Sequence, residues 1–244
     1  MEYNLCSSFF RRDVAVLACM VVLAACDDDE PTIEEPVSPD PSTCLPTNGP
    51  FTLAITNTYF PLPVGRNLVL SGEDAEGVVV RVEVNVLDQT EVVFGVTTRV
   101  VEVKEFEDGE LVEIARDFYA QAPDGTVCYF GEDVDEYDRG KVVGHGGAWR
   151  AGEGGNVPGI IMPSQPRPGT QFAQESAPGI AEDRSAVVAV GVRVSVPAGT
   201  FENAAFFLDW NPLEGQTILD GEDKVYAPGI GLVVDDVATL VSTK

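Results

Sequence analysis

The chain has 244 residues, of which 40 are acidic and 15 are Lys or Arg, so its formal net charge is −25 at pH 7. Such a surface repels nucleic acid, and we therefore expect no nucleic-acid partner. The single histidine, His145, and the lack of a Gly-x-Ser-x-Gly segment argue against a serine hydrolase of the α/β-hydrolase type.

The N-terminus has the three parts of a secretory signal over residues 1–25. Arg11 and Arg12 supply the positive charge, residues 14–23 are mainly apolar, and small residues follow. The apolar run is shorter than the roughly 20 residues that cross a bilayer, which disfavours a transmembrane anchor.

The tetrapeptide at 23–26 resembles the lipobox of bacterial lipoproteins. That resemblance implies cleavage before Cys26 and acylation of Cys26, hence an exported protein anchored to a bacterial membrane and facing the periplasm. The alternative is an ordinary cleaved signal.

Two cysteines, Cys44 and Cys128, remain after the signal and the lipidated residue are set aside. An exported pair without a third partner favours a disulfide, with two free thiols as the alternative. The bridge would span 84 residues. On the chain-entropy argument, it would contribute up to about 4–5 kcal/mol to stability.

A tether is predicted at residues 26–50, which hold six prolines and seven acidic residues but no Lys or Arg. Proline and like-charge repulsion keep such a segment extended and disordered. The remaining residues, 51–244, are long enough to form one domain with a single core.

Valines alternate with other residues at 80–86 and again at 188–196. This period of two predicts strands with one buried face. The Asp-Gly pairs at 108–109 and 124–125 predict hairpin turns. We therefore expect a mainly β domain of antiparallel strands, arranged as a curved sheet, a half-barrel or a sandwich. Residues 144–181 are rich in Gly and Pro, and we expect an ordered loop across the sheet there.

Several phrases of the domain together resemble an uncharacterised family of bacterial exported β-rich proteins. They are DFYAQ at 117–121, DGTVCYFGE at 124–132, GIIMP at 159–163, QE at 174–175, AED at 181–183, VPAGTF at 196–201 and KVYAPGIGLV at 224–233. The resemblance spans residues 57–240 and implies a β fold and a cell-envelope location, but no reaction.

A run of acidic side chains could hold calcium: Glu132, Asp133, Asp135, Glu136 and Asp138. Carboxylate oxygens are the ligands that Ca²⁺ prefers, although the spacing is not that of an EF-hand. The alternative is a solvated acidic turn. No other cofactor is expected.

A second, dispersed set of charged residues lies within or beside the family-like phrases: Asp117, Glu132, Glu175, Glu182, Asp183 and Lys224. Paired carboxyl groups could perform acid–base chemistry, as in glycosidases. They could equally form salt bridges that fix loops.

Three hypotheses on the function of the protein follow. The first is a non-catalytic scaffold that binds a small ligand or an envelope protein, the second is a calcium-binding domain, and the third is a carboxylate-based hydrolase of envelope glycans.

Overall fold

The structure is a computed structural model, and it describes residues 38–244. The predicted signal, Cys26 and the first part of the predicted tether, residues 26–37, lie outside the described residues. The strands, in chain order, are β1 (Asn67–Glu73), β2 (Val79–Val93), β3 (Val96–Glu107), β4 (Glu110–Gln121), β5 (Val127–Asp138), β6 (Lys141–Gly144), β7 (Trp149–Arg150), β8 (Gly159–Met162), β9 (Gln171–Ala173), β10 (Arg184–Val196), β11 (Gly199–Trp210), β12 (Glu222–Ala227), β13 (Gly231–Asp235) and β14 (Ala238–Thr243). Short 3₁₀ turns lie at Pro41–Cys44, Pro46–Asn48, Pro212–Glu214 and Ile218–Asp220.

All fourteen strands belong to one antiparallel sheet, which is not closed into a barrel. The order along the sheet is β6-β5-β4-β3-β2-β1-β14-β13-β12-β11-β10-β9, and β7 and β8 pair with β5. Most neighbours are consecutive in the chain because short turns join them; the last strand, β14, pairs with β1. The mainly β, antiparallel prediction is thus confirmed, as one sheet rather than a sandwich.

Both predicted hairpin turns occur where the sequence places them. Asp108 and Gly109 have φ angles of 49° and 85° between β3 and β4. Positive φ at both central residues is the requirement of the tight turn that Asp-Gly favours. Gly125, with φ 95°, lies between β4 and β5.

The predicted alternation is confirmed in β2 but only partly in β10. Val82 and Val86 are buried in β2. Val188 and Val190 in β10 are each 40% exposed, so their assignment to a buried face was wrong. The pairing of β10 with β11 shifts register between Val187 and Ala189 and again after Val190. Such a bulge exchanges the two faces of a strand, which periodicity alone does not predict.

The sheet is strongly curved. β4 and β12 are six positions apart in the strand order, and a flat sheet would separate them by roughly 29 Å at about 4.8 Å per strand. Instead, the ring of Phe60 lies 5.3 Å from that of Tyr119 on β4 and 6.1 Å from that of Tyr226 on β12. Curvature therefore brings distant strands to opposite walls of one concave inner face.

The first described residues are fastened to this sheet. Cys44 ends the turn Pro41–Cys44 and is joined by a disulfide to Cys128 on β5, and both residues are fully buried. The folded part of the chain therefore begins before the predicted boundary at Phe51.

The Gly- and Pro-rich stretch at 144–181 lies along β5 and supplies β7, β8 and β9. Its glycines allow close backbone approach. A Cβ at Gly159 would lie 2.1 Å from the carbonyl oxygen of Gln174, and one at Gly131 on β5 would lie 2.3 Å from that of Trp149. The stretch thus packs ordered backbone against β5 and β10.

Candidate functional site

The concave inner face holds a cavity of about 390 Å³. Its walls come from both halves of the curved sheet, with Val84 and Asp117 on one side and Asp209 and Lys224 on the other. This volume lies within the usual range of small-molecule sites.

A second, smaller cavity of about 130 Å³ adjoins the first and shares with it Asp117, Tyr119 and Tyr226. Arg66 borders it and donates to the backbone carbonyl oxygens of Gly229 and Ile230. The rest of the lining is mainly apolar: Phe60, Pro61, Leu62, Leu68, Val84, Val86, Val101, Val103, Ile161, Ile230 and Leu232. The two cavities form one groove, which has a carboxyl-rich end and an apolar end.

The carboxyl-rich end begins with two acids on neighbouring strands. Asp117 on β4 is the register partner of Glu132 on β5, whereas Tyr119 faces Tyr129. The partners are two residues apart on β4 but three apart on β5, so β5 carries an extra residue near Gly131, whose φ is 134°. This bulge lets both Tyr129 and Glu132 approach Asp117.

Asp117 is 7% exposed and is held by two phenols. Tyr129 Oη donates to Oδ1 at 3.0 Å, and Tyr119 Oη donates to Oδ2 at 3.1 Å. Burial raises the pKa of Asp117 to about 7, and the two tyrosine hydrogen bonds oppose that shift. Burial and the nearby charges of Asp117 and Glu175 raise the pKa of Glu132 to about 10. Two ionised carboxylates so close together in a low dielectric repel each other, so one keeps its proton.

A second acid pair lies on the 144–181 stretch and the loop that follows it. Glu175 is 7% exposed, and Trp149 Nε1 donates to its Oε1 at 3.1 Å. The backbone N–H of Glu175 donates to the carbonyl oxygen of Asp183 at 3.3 Å. Burial, followed by the charge of Asp183, raises the pKa of Glu175 to about 8, and burial also raises that of Asp183.

Asp209 on β11 completes the acidic end. Gln174 Nε2 donates to its Oδ2 at 2.8 Å, and burial raises the pKa of Asp209 to about 6. Its other oxygen, Oδ1, is inaccessible to solvent and accepts no hydrogen bond from the described residues; the same is true of Oδ1 of Asp183. Asp183 and Asp209 both line the larger cavity.

Lys224 on β12 is the basic side chain that lines this cavity. Its ammonium forms an ion pair with Asp235 and a longer contact of 3.4 Å with Glu222. These two carboxylates hold the pKa of Lys224 well above its usual value, although burial opposes the shift. Lys224 is thus a charged group that is already paired.

The structure separates the dispersed acids that the sequence singled out. Asp117, Asp183 and Lys224 line the cavity. Glu132 and Glu175 do not line it, but they lie near enough for the charge of Asp117 to raise the pKa of Glu132 and that of Asp183 to raise the pKa of Glu175. Glu182 is not part of the groove, since its carboxylate accepts the backbone N–H of Gly179.

The acidic run at 132–138 is divided by strand β5 rather than gathered in a turn. Asp133 pairs with Arg150 at 2.6 Å and Asp135 with Arg116 at 3.1 Å on the outer face, and Asp138 lies beside Arg139. Glu132 lies on the inner face, and Glu136 contributes to the raised pKa of Glu113. Successive side chains of a strand point to opposite faces, so one calcium ion cannot be shared by all five. Over residues 38–244, no group of three or more Asp, Glu, His or Cys side chains is arranged to hold a metal ion.

Asp209, Asp235 and Gln174 were not singled out as site residues from the sequence. Asp209 could have been found from the sequence, because it lies two residues after Phe207 on β11 and therefore points to the same face of the strand. Phe207 is buried. An acid in the buried phase of a strand is unusual enough to mark a site. Asp235 gave no such signal, because the pairing of β12 with β13 shifts register near it.

Comparison with known proteins adds little to this description. No protein-family model matches the chain, and no curated protein matches it. A solved structure described as a "putative lipoprotein" from Parabacteroides distasonis is similar over 77% of this chain and 99% of its own, at 14% identity and a TM-score of 0.36. The family resemblance drawn from the sequence stays a prediction. None of the helices in residues 38–244 is long and apolar enough to cross a membrane.

Proposed function

We propose that this protein is a lipid-anchored lipoprotein of the bacterial cell envelope that binds a small amphiphilic molecule in its inner groove, without chemical conversion. The observation that carries the binding function is the groove itself, with a carboxyl-rich end and an apolar end on one concave face. A ligand with a polar head and an apolar body matches that division.

The apolar end supports binding rather than simple packing. It is lined by side chains of the strand core, among them Leu68, Val86 and Val101, yet it retains a cavity of about 130 Å³. Empty volume inside a core is destabilising, because the lining side chains lose their contacts. A site that keeps such a space gains stability when a ligand fills it.

Native mass spectrometry tests the binding function. The probe is the mature chain, residues 26–244, exported with Cys26→Ser so that no lipid is attached. We expect additional mass matching a small amphiphile. Ile161→Trp, which fills a position lining both cavities, should remove that mass.

The matched control is Ile114→Trp, because Ile114 lies on β4 in the opposite phase to Asp117. It should retain the bound mass. A bare mass for the parent chain, together with no thermal stabilisation by eight-carbon amphiphiles, would contradict the binding function.

The anchor rests on the sequence at 1–26, and a separate experiment tests it. Cells fed an alkyne-tagged fatty acid should label the full-length protein, and Cys26→Ser should abolish the label. Replacement of another signal cysteine, Cys19→Ser, should leave the label in place. Equal labelling of all three proteins would contradict acylation at Cys26.

A carboxylate-based hydrolase is the second candidate, because Asp117 and Asp209 line one cavity from opposite walls and have pKa values of about 7 and about 6. Carboxyl groups with different pKa values can serve as acid and base. Release of reducing ends from cell-wall glycan that disappears in Asp117→Asn would support this function. Absence of release by the parent protein would remove it.

A further inference from the structure

We infer that the groove selects amphiphiles whose head is a positively charged ammonium group with N–H donors. This inference rests on the proposed binding function and specifies the chemical class of its ligand.

Charge complementarity gives the first argument. Six acidic side chains and Lys224 line the larger cavity. Lys224 is already paired with Asp235 and Glu222. The four other lining acids form no ion pair within residues 38–244: Asp117, Asp183, Asp209 and Glu214. The charge of Lys224 also acts on Asp183 and Asp209, but one cation does not balance six acids. The polar end therefore has an excess of negative charge, which disfavours a sulfate or phosphate head.

The two orphaned oxygens give the second, independent argument. Oδ1 of Asp183 and Oδ1 of Asp209 are inaccessible to solvent and accept no hydrogen bond from the described residues. Burying an acceptor without a donor costs free energy, and a charged acceptor costs more than a neutral one. Both residues line the cavity, so a turn of either carboxylate would expose this oxygen to the donors of a ligand, which would relieve the cost.

The neighbouring polar groups are also fixed in advance. Gln174, 8% exposed, donates to the other oxygen of Asp209, and two tyrosines donate to Asp117. A carboxylate held in this way loses little conformational freedom when it binds a ligand. An ammonium head has three N–H donors, whereas a trimethylammonium head has the same charge and none.

Four probes with the same eight-carbon chain separate charge from hydrogen bonding: octylammonium, octyltrimethylammonium, octyl glucoside and octyl sulfate. Isothermal titration calorimetry on the mature chain with Cys26→Ser, below the micelle concentration of each probe, measures their affinities. We expect octylammonium to bind about tenfold or more tightly than octyltrimethylammonium and octyl glucoside, and octyl sulfate to bind least.

Two variants locate the effect. Asp209→Asn and Asp183→Asn should each weaken octylammonium binding about tenfold and change octyl glucoside binding by about twofold or less. The matched control is Asp133→Asn, because Asp133 lies on the outer face in an ion pair with Arg150. It should leave both affinities unchanged. Circular dichroism of each variant verifies the fold, and the second aspartate keeps the test decisive if one variant fails to fold.

The possible results distinguish this inference from the function on which it rests. Equal affinities for octylammonium and octyl glucoside, or unchanged octylammonium affinity in both aspartate variants, would overturn the selection of an ammonium head while leaving amphiphile binding intact. Failure of all four probes to bind would overturn both.

Discussion

The two faces of strands β4 and β5 carry acids in very different surroundings. On the outer face, Asp133 and Asp135 pair with Arg150 and Arg116. On the inner face, Asp117 and Glu132 lie opposite each other, and the groups that donate to Asp117 are tyrosine hydroxyls. The same two strands thus place neutralised acids towards solvent and mutually repelling acids towards a cavity.

This difference shows that an acidic composition alone does not define the candidate site. The outer acids have partners, and such exposed pairs contribute little to stability. The inner acids have raised pKa values, because burial penalises their charged forms. A protein tolerates this arrangement at a cost in stability, and functional sites are where such costs concentrate.

The largest expected effect comes from the cation of the inner face. Lys224→Met should lower the free energy of unfolding by about 3 kcal/mol, because it leaves the carboxylate of Asp235, whose side chain is 17% exposed, without its partner. Urea unfolding followed by circular dichroism measures the loss.

The outer-face control for that prediction is Arg116→Met, which should cost about 1 kcal/mol or less, since the pair of Arg116 and Asp135 is more exposed. The double variant Lys224→Met/Asp235→Leu should recover much of the stability. Equal losses in Lys224→Met and Arg116→Met would show that the two faces do not differ in this way.

A smaller effect is expected in the pH dependence of stability. The folded-state pKa values of Asp209, Asp117 and Glu175 are about 6, 7 and 8, whereas ordinary carboxyl groups in an unfolded chain titrate near 4. The folded protein therefore binds more protons than the unfolded chain between those values. The contribution of these three carboxyl groups to the free energy of unfolding is fully present below about pH 4 and is lost as the pH rises through about 6–8. The melting temperature should fall between pH 5 and pH 8.5.

Asp117→Asn should reduce this fall in stability. From pH 5 to pH 8.5, its free energy of unfolding should rise by about 1–2 kcal/mol relative to that of the parent protein. Asp133→Asn, the outer-face control, should leave the slope unchanged. Thermal melts at a series of pH values measure both, and identical slopes for the parent and Asp117→Asn would contradict burial of an ionisable Asp117.

Local sequence patterns were sufficient for strand β2 and for the turn between β3 and β4. Alternating valines at 80–86 and the Asp108-Gly109 pair each have a direct backbone consequence, and the structure has both. In β4, by contrast, residues 117–120 are buried on both faces of the strand, so alternation alone does not show on which face Asp117 lies.

The curvature of the sheet could not be read in the same way. It depends on the summed twist of many strands and on bulges such as the one near Gly131. Without it, nothing in the sequence places Asp117 and Asp209, 92 residues apart in the chain, around one cavity. The exchange of faces at Val188 also depends on a bulge, because an extra residue reverses the side chains that follow it until the next shift in register.

The smallest expected effect concerns a single hydroxyl group of the inner face. Tyr129→Phe removes one of the two donors to Asp117 and should cost about 1 kcal/mol. Because that hydroxyl stabilises the charged form of Asp117, its removal should raise the pKa of Asp117 further.

The loss in Tyr129→Phe should therefore be larger at pH 8.5, where Asp117 must ionise, than at pH 5, where it keeps its proton. Tyr137→Phe, on the same strand but without a hydrogen bond to Asp117, should show no such dependence. Urea titrations of both variants at the two pH values give the comparison. A loss in Tyr129→Phe that is independent of pH would mean that the hydroxyl stabilises the packing of the groove rather than the carboxylate.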